Sequence, residues 1–593
     1  MPFQMYFKNI NESLNEGPSR LPQDFCNSEL NEARAFTYRV IQEYWSSVAL
    51  QFTPAPPNLP HLPNSLRTEI LNVPADKEAA CAFAKNLPNE YSLQAAYDLT
   101  SKYASMLPSD LRSQYGIFYT PPSLTSHLLD IAGGQQLEWE DCKVLDPACG
   151  GGAFLAPVAM RKRQALHALN GAERILAISE SLQGFEIDPF AAWMSQVLTE
   201  LVLIEDVIRT GKRLRQITRV CDALRETQEA NQYDLVIGNP PYGRTSLAKA
   251  DREYYQRSLY GHANLYALFT DLALRAAKPG GVVALVTPAS YLAGQYFKNL
   301  RRTIREVASP RQIDFVEKRN GAFAGVLQET VLSVHLKCVN GTTDKTNAAN
   351  ILKLRRDGSL STQVTGQIYL PKQPDAPWII PRTASAERLL NRIGSDAHHL
   401  SDYGYKVKTG PLVWNRHRQQ LCQDKVHGAV PLVWAESVRA SGTFEFSYSK
   451  RNHAPYFLPE PNQDWLLTRR SCVLLQRTTS KEQRKRLIAA VLPPKFIRDH
   501  GAAVIENHLN VVEPTKRGAA AIRPTTMAYL LNSPILDQIF RCLSGSVAVS
   551  AYEIEAMPLP EPKLIANMER DLIAGMDYGR FRKELQDYYE IAS

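Results

Sequence analysis

The residues whose types and spacing could do chemistry begin with Asn239-Pro240-Pro241-Tyr242. Two successive prolines fix φ and remove two backbone donors. The residue before each proline is driven out of the α region, so Asn239 and Pro240 are expected to be extended. They would then offer the Asn239 side-chain oxygen and the Pro240 carbonyl as two fixed acceptors, with the Tyr242 ring as a flat face beside them. An amino group on an aromatic base fits such a site. A strand ending in a plain proline turn would carry the same four residues, so their surroundings decide.

Three carboxylates occur in comparable settings. Asp146 closes Val144-Leu145-Asp146 and leads into Pro147-Ala148-Cys149-Gly150-Gly151-Gly152. Strand, glycine turn and helix make up a nucleotide-binding first βα unit. No Lys-Ser/Thr follows the glycines, which argues against a phosphate-cradling loop, and the spacing departs from G-x-G-x-x-G. An acid at that strand end suits a ligand with a cationic portion. Cys149 reads as a small packing residue, not a nucleophile. Glu186 ends Leu182-Gln183-Gly184-Phe185-Glu186, where doubly wound folds keep their reader of ribose hydroxyls. It lies about 40 residues past Asp146, against ~20 in the dinucleotide fingerprint, and a helical stretch over 161–181 takes up the difference. Asp222 follows a short strand at 217–220. Ahead of all three, Thr120-Pro121-Pro122 reads as a helix start capped near Thr120, with N–H groups free for a ligand carboxylate.

The elements that must position these residues follow from hydrophobic patterning. Strands are expected at the start of 143–155, within 182–189 where it ends in acidic residues, and at 217–220, 234–238, 282–286, 313–316 and 330–336. The helix over 264–277 stops at Lys278-Pro279-Gly280-Gly281. Alternating strands and helices imply an α/β domain with a mostly parallel sheet, covered on both faces. Ligands of such sheets bind at the carboxyl ends of the strands, where Asp146, Glu186, Asp222 and Asn239 all fall.

In this order the motifs resemble the S-adenosylmethionine-dependent DNA adenine-N6 methyltransferases of the Asn-Pro-Pro-Tyr type, in the gamma arrangement of the TaqI-like enzymes. Thr120-Pro121, the Asp146–Phe154 loop, Glu186-Ile187-Asp188-Pro189, Asp222, Asn239–Tyr242, the Leu265–Phe269 helix and Phe323 before Gln328-Glu329-Thr330 match in sequence. The resemblance covers residues 113–340 closely and the C-terminal half more loosely. It implies a Rossmann-like class I methyltransferase sheet, an N-terminal helical region (1–112), a catalytic domain (113–340), a linker (341–395), an α+β target-recognition domain (396–565) and a C-terminal helix (566–593). It further implies that Asp146, Ala148 and Gly150 approach the methionine part of S-adenosylmethionine, with Thr120 near its carboxylate. Glu186 would hold the ribose and Asp222 the adenine amino group. Asn239 and Pro240 would accept the two N6 hydrogens of a flipped-out target adenine, between the rings of Tyr242 and Phe323. Neither a metal nor a covalent intermediate is called for.

Bulk properties set the outer limits. At 593 residues, 44% hydrophobic and 22% charged, the chain is a multi-domain globular protein. A net charge of +8 permits a polyanionic partner without requiring one. Nine cysteines without paired spacing point to a reducing cytoplasm, and neither a membrane span nor a secretory signal is read. Basic clusters at Lys406/Lys408, Arg416/Arg418, Arg477/Lys481 and Arg484–Arg486 suit phosphate contacts to double-stranded DNA. Two settings stay open, a methylase paired with a separately encoded cognate restriction endonuclease and a solitary methylase. N4-cytosine methylation, protein-glutamine methylation and DNA binding on a vestigial cofactor fold are the rival readings.

Overall fold

The computed structural model describes residues 28–73, 76–109, 111–112, 119–226, 230–317, 329–338, 345–355, 357–393, 397–450, 452–479, 483–515, 520–543 and 548–590. Two compact units emerge. One comprises residues up to Tyr291 and Asn299–Gln363, the other Leu292–Lys298 and the chain from Val364 onward.

The first unit is built on a nine-stranded sheet. Its strands are β1 (Val144–Asp146), β2 (Leu182–Glu186), β3 (Thr218–Val220), β4 (Tyr233–Gly238), β5 (Ala277–Pro288), β6 (Ala308–Val316), β7 (Thr330–Lys337), β8 (Lys345–Leu354) and β9 (Leu360–Tyr369), the last running across the division at Gln363. The spatial order is β9-β8-β6-β7-β5-β4-β1-β2-β3. β3, β2, β1, β4 and β5 are parallel, and β7 runs antiparallel between β5 and β6. This is the Rossmann-like α/β architecture expected. The chain winds outward from β1 to β3, then returns to lay β4 on the other side of β1, which opens a crevice at their carboxyl ends.

Burial explains why these segments are strands. Val144 and Leu145 of β1 and Leu235–Ile237 of β4 are wholly buried apolar residues, as a sheet covered on both faces demands. One face packs against helices Pro122–Gly133, Leu155–Ala165 and Gly171–Ser181. Helix Pro189–Val202 is buried from Phe190 to Val202, because the N-terminal helices Ser28–Ala49 and Leu93–Met106 close over it in a second core. The proline-rich connector contributes acceptors there: the indole N–H groups of Trp45 and Trp193 donate to the carbonyls of Pro57 and Pro60 at 2.7 and 3.0 Å.

Three expectations need correction. Residues 341–395 are not a linker, because β8 and β9 extend the sheet and Ala384–Ile393 is a helix. The polar composition of β8 hides it; what holds it is parallel pairing with β6 and a 2.7 Å hydrogen bond from Asn350 to buried Asp314. The single helix over 566–593 is two, Pro562–Ile573 and Tyr578–Glu590, parted at Gly575 with φ 109°. Asp577 accepts from the Arg580 amide at 3.0 Å to start the second. Thr120 is not a helix cap, since Pro121 holds that position without a side-chain bond.

The second unit is α+β. An antiparallel sheet of Tyr405–Thr409, Leu509–Pro514, Val473–Gln476 and Ala489–Val491 lies with a five-stranded sheet of shorter strands, and helices Pro524–Leu531 and Pro534–Leu543 follow. No helix among the described residues is long and apolar enough to cross a membrane.

Candidate active site

Parallel register brings the polar strand ends together. Asp146 pairs with Gly184 and Glu186 with Val220, while Leu145 opposes Val236 two residues before Gly238. Asp146, Glu186, Asp222 and Asn239 therefore emerge at one rim.

Asp146 is fully buried. Its Oδ1 accepts from the Ala148 amide at 3.1 Å, and Oδ2 has no hydrogen-bond partner. Burial pushes its carboxyl up to about 8, against the backbone N–H and with a small push from Glu186. The following turn needs glycine: Gly150 and Gly152 have φ of 51° and 89°, values that side chains adopt only with strain. Cys149 is buried against Gly184, and its thiol is pushed well up by burial, consistent with packing rather than nucleophilic attack.

Glu186 is held by three amides, Gly150 N–H on Oε2 and Ile187 and Asp188 N–H on Oε1, all at 2.9 Å. Burial nevertheless raises its carboxyl to about 7. Asp222 accepts from the Leu224 amide at 3.2 Å.

These groups surround a cavity of about 520 Å³, within the usual range for a small-molecule site. Of the residues expected at the site, Thr120, Ala148, Gly150, Glu186, Asp222 and Asn239 line it. Leu265 and Phe269, one helical turn apart, add apolar wall, and Arg244 stands at the same wall. Asp146, Pro240 and Tyr242 are not in that lining. Phe323 lies outside the described residues.

Around Asn239 the geometry differs from the expected open acceptor. The Tyr242 hydroxyl donates to Asn239 Oδ1 at 2.9 Å, and Asn239 Nδ2 donates to Thr120 Oγ1 at 3.2 Å. The Tyr242 ring meets Tyr266 edge-on at 6.2 Å. Tyr242 is thus turned onto the asparagine in this conformation, and Thr120 faces the asparagine rather than its own helix.

Sequence reasoning missed Asp188 and its partners. Asp188 caps helix Pro189–Val202 through the Phe190 amide at 3.0 Å, and takes Arg34 Nη2 and the Tyr103 hydroxyl, each at 2.8 Å. Tyr103 lines the cavity. An aspartate directly before a proline that opens a helix was a legible cap signal; Arg34, over 150 residues away, carried none.

Comparison with known proteins bears on this rim. Residues 178–323 match the model of the Eco57I restriction-modification methylase family. The Type II methyltransferase M.BsuBI of Bacillus subtilis is 24% identical over 79% of this chain and 91% of its own length. M.PstI of Providencia stuartii is 24% identical over 81% and 92%. Among solved structures, the Type IIL restriction-modification enzyme MmeI in complex with DNA has a TM-score of 0.45 and 13% identity, covering 86% of this chain and 76% of that one.

The residues present suit the methyl donor of such enzymes. Asp146, behind the Ala148–Gly150 turn that lines the cavity, has a buried oxygen without a hydrogen-bond partner, and Glu186 and Asp222 present carboxylates to a cavity of nucleoside size. The stretch carrying Glu186, Asp222 and Asn239–Tyr242 is the stretch the family model covers, and there the chain is similar to the Eco57I restriction-modification methylases, with S-adenosylmethionine as the cofactor that the relatives imply.

Proposed function

We propose that the protein is a site-specific DNA methyltransferase that transfers a methyl group to the N6 amino group of an adenine rotated out of the duplex. The observation that carries the reading is that Asn239, first residue of Asn-Pro-Pro-Tyr, lines the same cavity as Glu186 and Asp222. Bound S-adenosylmethionine supplies a methyl group already activated by its sulfonium. The chain's own part is positioning. Asp146, Ala148 and Gly150 would hold the methionine portion, Glu186 the ribose and Asp222 the adenine end.

Asn239 Oδ1 and the Pro240 carbonyl would accept the two hydrogens of the target amine. An amine conjugated to its ring is a poor nucleophile, and two fixed acceptors favour the form with a localised lone pair as the transition state develops. Tyr242, and Phe323 with it, would flank the base, which cannot reach such a cavity while stacked in a duplex. For Tyr242 to do so, its hydroxyl must leave Asn239. The relatives' designation as Type II methyltransferases supports double-stranded DNA as the substrate and a separately encoded restriction endonuclease as the functional partner.

Expression in a host lacking DNA methylation, followed by modification-sensitive sequencing, tests the proposal. N6-methyladenine within one short motif is the expected result, absent in Asn239→Ala. N4-methylcytosine in its place would transfer the reading to cytosine, and labelled protein with unlabelled DNA would move it to glutamine.

A further inference from the structure

Asn239 has two chemically different ends, and the reaction proposed above can use only one. Its oxygen accepts; its nitrogen donates. Rotated by half a turn, the carboxamide would present an NH2 group to the amine it is meant to receive, two donors facing each other. The end away from the oxygen donates to Thr120 Oγ1 at 3.2 Å. Thr120 is 3% exposed and lines the same cavity. Its hydroxyl is not spent on the adjoining helix, whose cap is Pro121 without a side-chain bond. Pro121 and Pro122 directly after it restrict the backbone, so the hydroxyl sits on a stiff mount.

The oxygen end meets the Tyr242 hydroxyl at 2.9 Å, and that hydroxyl also lies 3.4 Å from the Val286 carbonyl, a second acceptor when it leaves. Arrival of a target amine would exchange the contact at the oxygen and leave the one with Thr120 untouched.

We infer that Thr120 is a positioning residue for Asn239, holding the carboxamide nitrogen so that the oxygen faces the target amine, instead of serving the cofactor carboxylate. This inference rests on the adenine reading.

The test uses the full-length protein, single-turnover methylation of duplex DNA at saturating S-adenosylmethionine, and calorimetric binding of S-adenosylhomocysteine. Thr120→Val is expected to slow methyl transfer about tenfold, the worth of one hydrogen bond in the reacting arrangement, with S-adenosylhomocysteine affinity within about twofold of wild type. Thr120→Ser, which keeps the hydroxyl, recovers most of the rate. Thr120→Ala serves as a second hydroxyl-free variant if the valine protein does not fold. The inference is overturned if loss of the hydroxyl weakens S-adenosylhomocysteine tenfold while the saturated rate stands, which would return Thr120 to the cofactor. It is equally overturned if the serine variant is as slow as the valine one, or if all three variants keep the wild-type rate. A wild-type protein that methylates no adenine would remove the adenine reading first and this inference with it.

Discussion

Asp146 keeps one oxygen without a partner in a fully buried position, and burial lifts its carboxyl to about 8. Below that pH the unliganded protein holds it largely neutral, and a cationic amine arriving beside it favours the ionised form. Cofactor affinity is therefore expected to rise as pH increases from 6 towards 8, with proton release on binding near neutrality. Calorimetry of S-adenosylhomocysteine in buffers of different ionisation enthalpy measures both, and Asp146→Asn abolishes the proton release. The same group has a sign for stability. Its folded value lies above the unfolded one of about 4, so the folded state binds more protons between the two and stability falls as pH rises across that window. Glu186, raised to about 7, acts in the same direction. Thermal melting of the unliganded protein should drop between pH 6 and 8, less so in Asp146→Asn. At Asn239, replacement by Ala is expected to slow methyl transfer by about 10²-fold or more, as for loss of a fixed polar group at a reacting centre, with cofactor affinity little changed.

At the scale of elements, the rim is tied to the N-terminal helices through Asp188, which bonds Arg34 and Tyr103 within the protein. Arg34 is 1% exposed. Asp188→Ala leaves that guanidinium buried beside a lost carboxylate, a change that costs about 3–5 kcal/mol; urea unfolding of the full chain reads it. A smaller variant, Gly152→Ala, puts a side chain at φ 89° with its Cβ 2.9 Å from Ser195 Oγ, and should cost about 1–3 kcal/mol. The strands around Val144-Leu145 and at 234–238 were legible because each carries a short apolar run ended by turn chemistry, and the one beginning at Leu182 because it ends in acids before Pro189. β8 was not, because Lys345-Thr346-Asn347-Ala348-Ala349-Asn350 has neither an apolar run nor alternation, and its place comes from a neighbouring strand. Tertiary pairing overrode local preference there.

Across the whole molecule, a basic composition overstates the charge available to a polyanion. Lys406 and Lys408 both pair with Glu513, at 3.3 and 3.0 Å. Arg486 is 2% exposed and lies over the Phe540 ring, and Arg477 donates to the Asn507 carbonyl at 3.0 Å. Arg416 and Arg418 are exposed, the latter beside the Trp414 ring. If the second unit meets DNA phosphates, Arg416→Gln with Arg418→Gln should weaken duplex binding and reduce the slope of log affinity against log salt by about 2, with S-adenosylhomocysteine affinity unchanged. Fluorescence anisotropy over a salt series checks it.

The chemistry of the rim was written in the chain itself: acids and an asparagine at the ends of apolar runs, glycines where backbone must turn, prolines where it must stay extended. Those are local properties, and a parallel sheet converts them into a shared edge with no further information. What the fold alone decided is which side chain each polar group faces. Thr120 turns from the helix it precedes to Asn239, Tyr242 turns onto the oxygen it was expected to stand beside, and Asp188 reaches Arg34 across 154 residues of sequence. Such pairings depend on where separate elements come to rest in three dimensions, and no spacing along a chain encodes that.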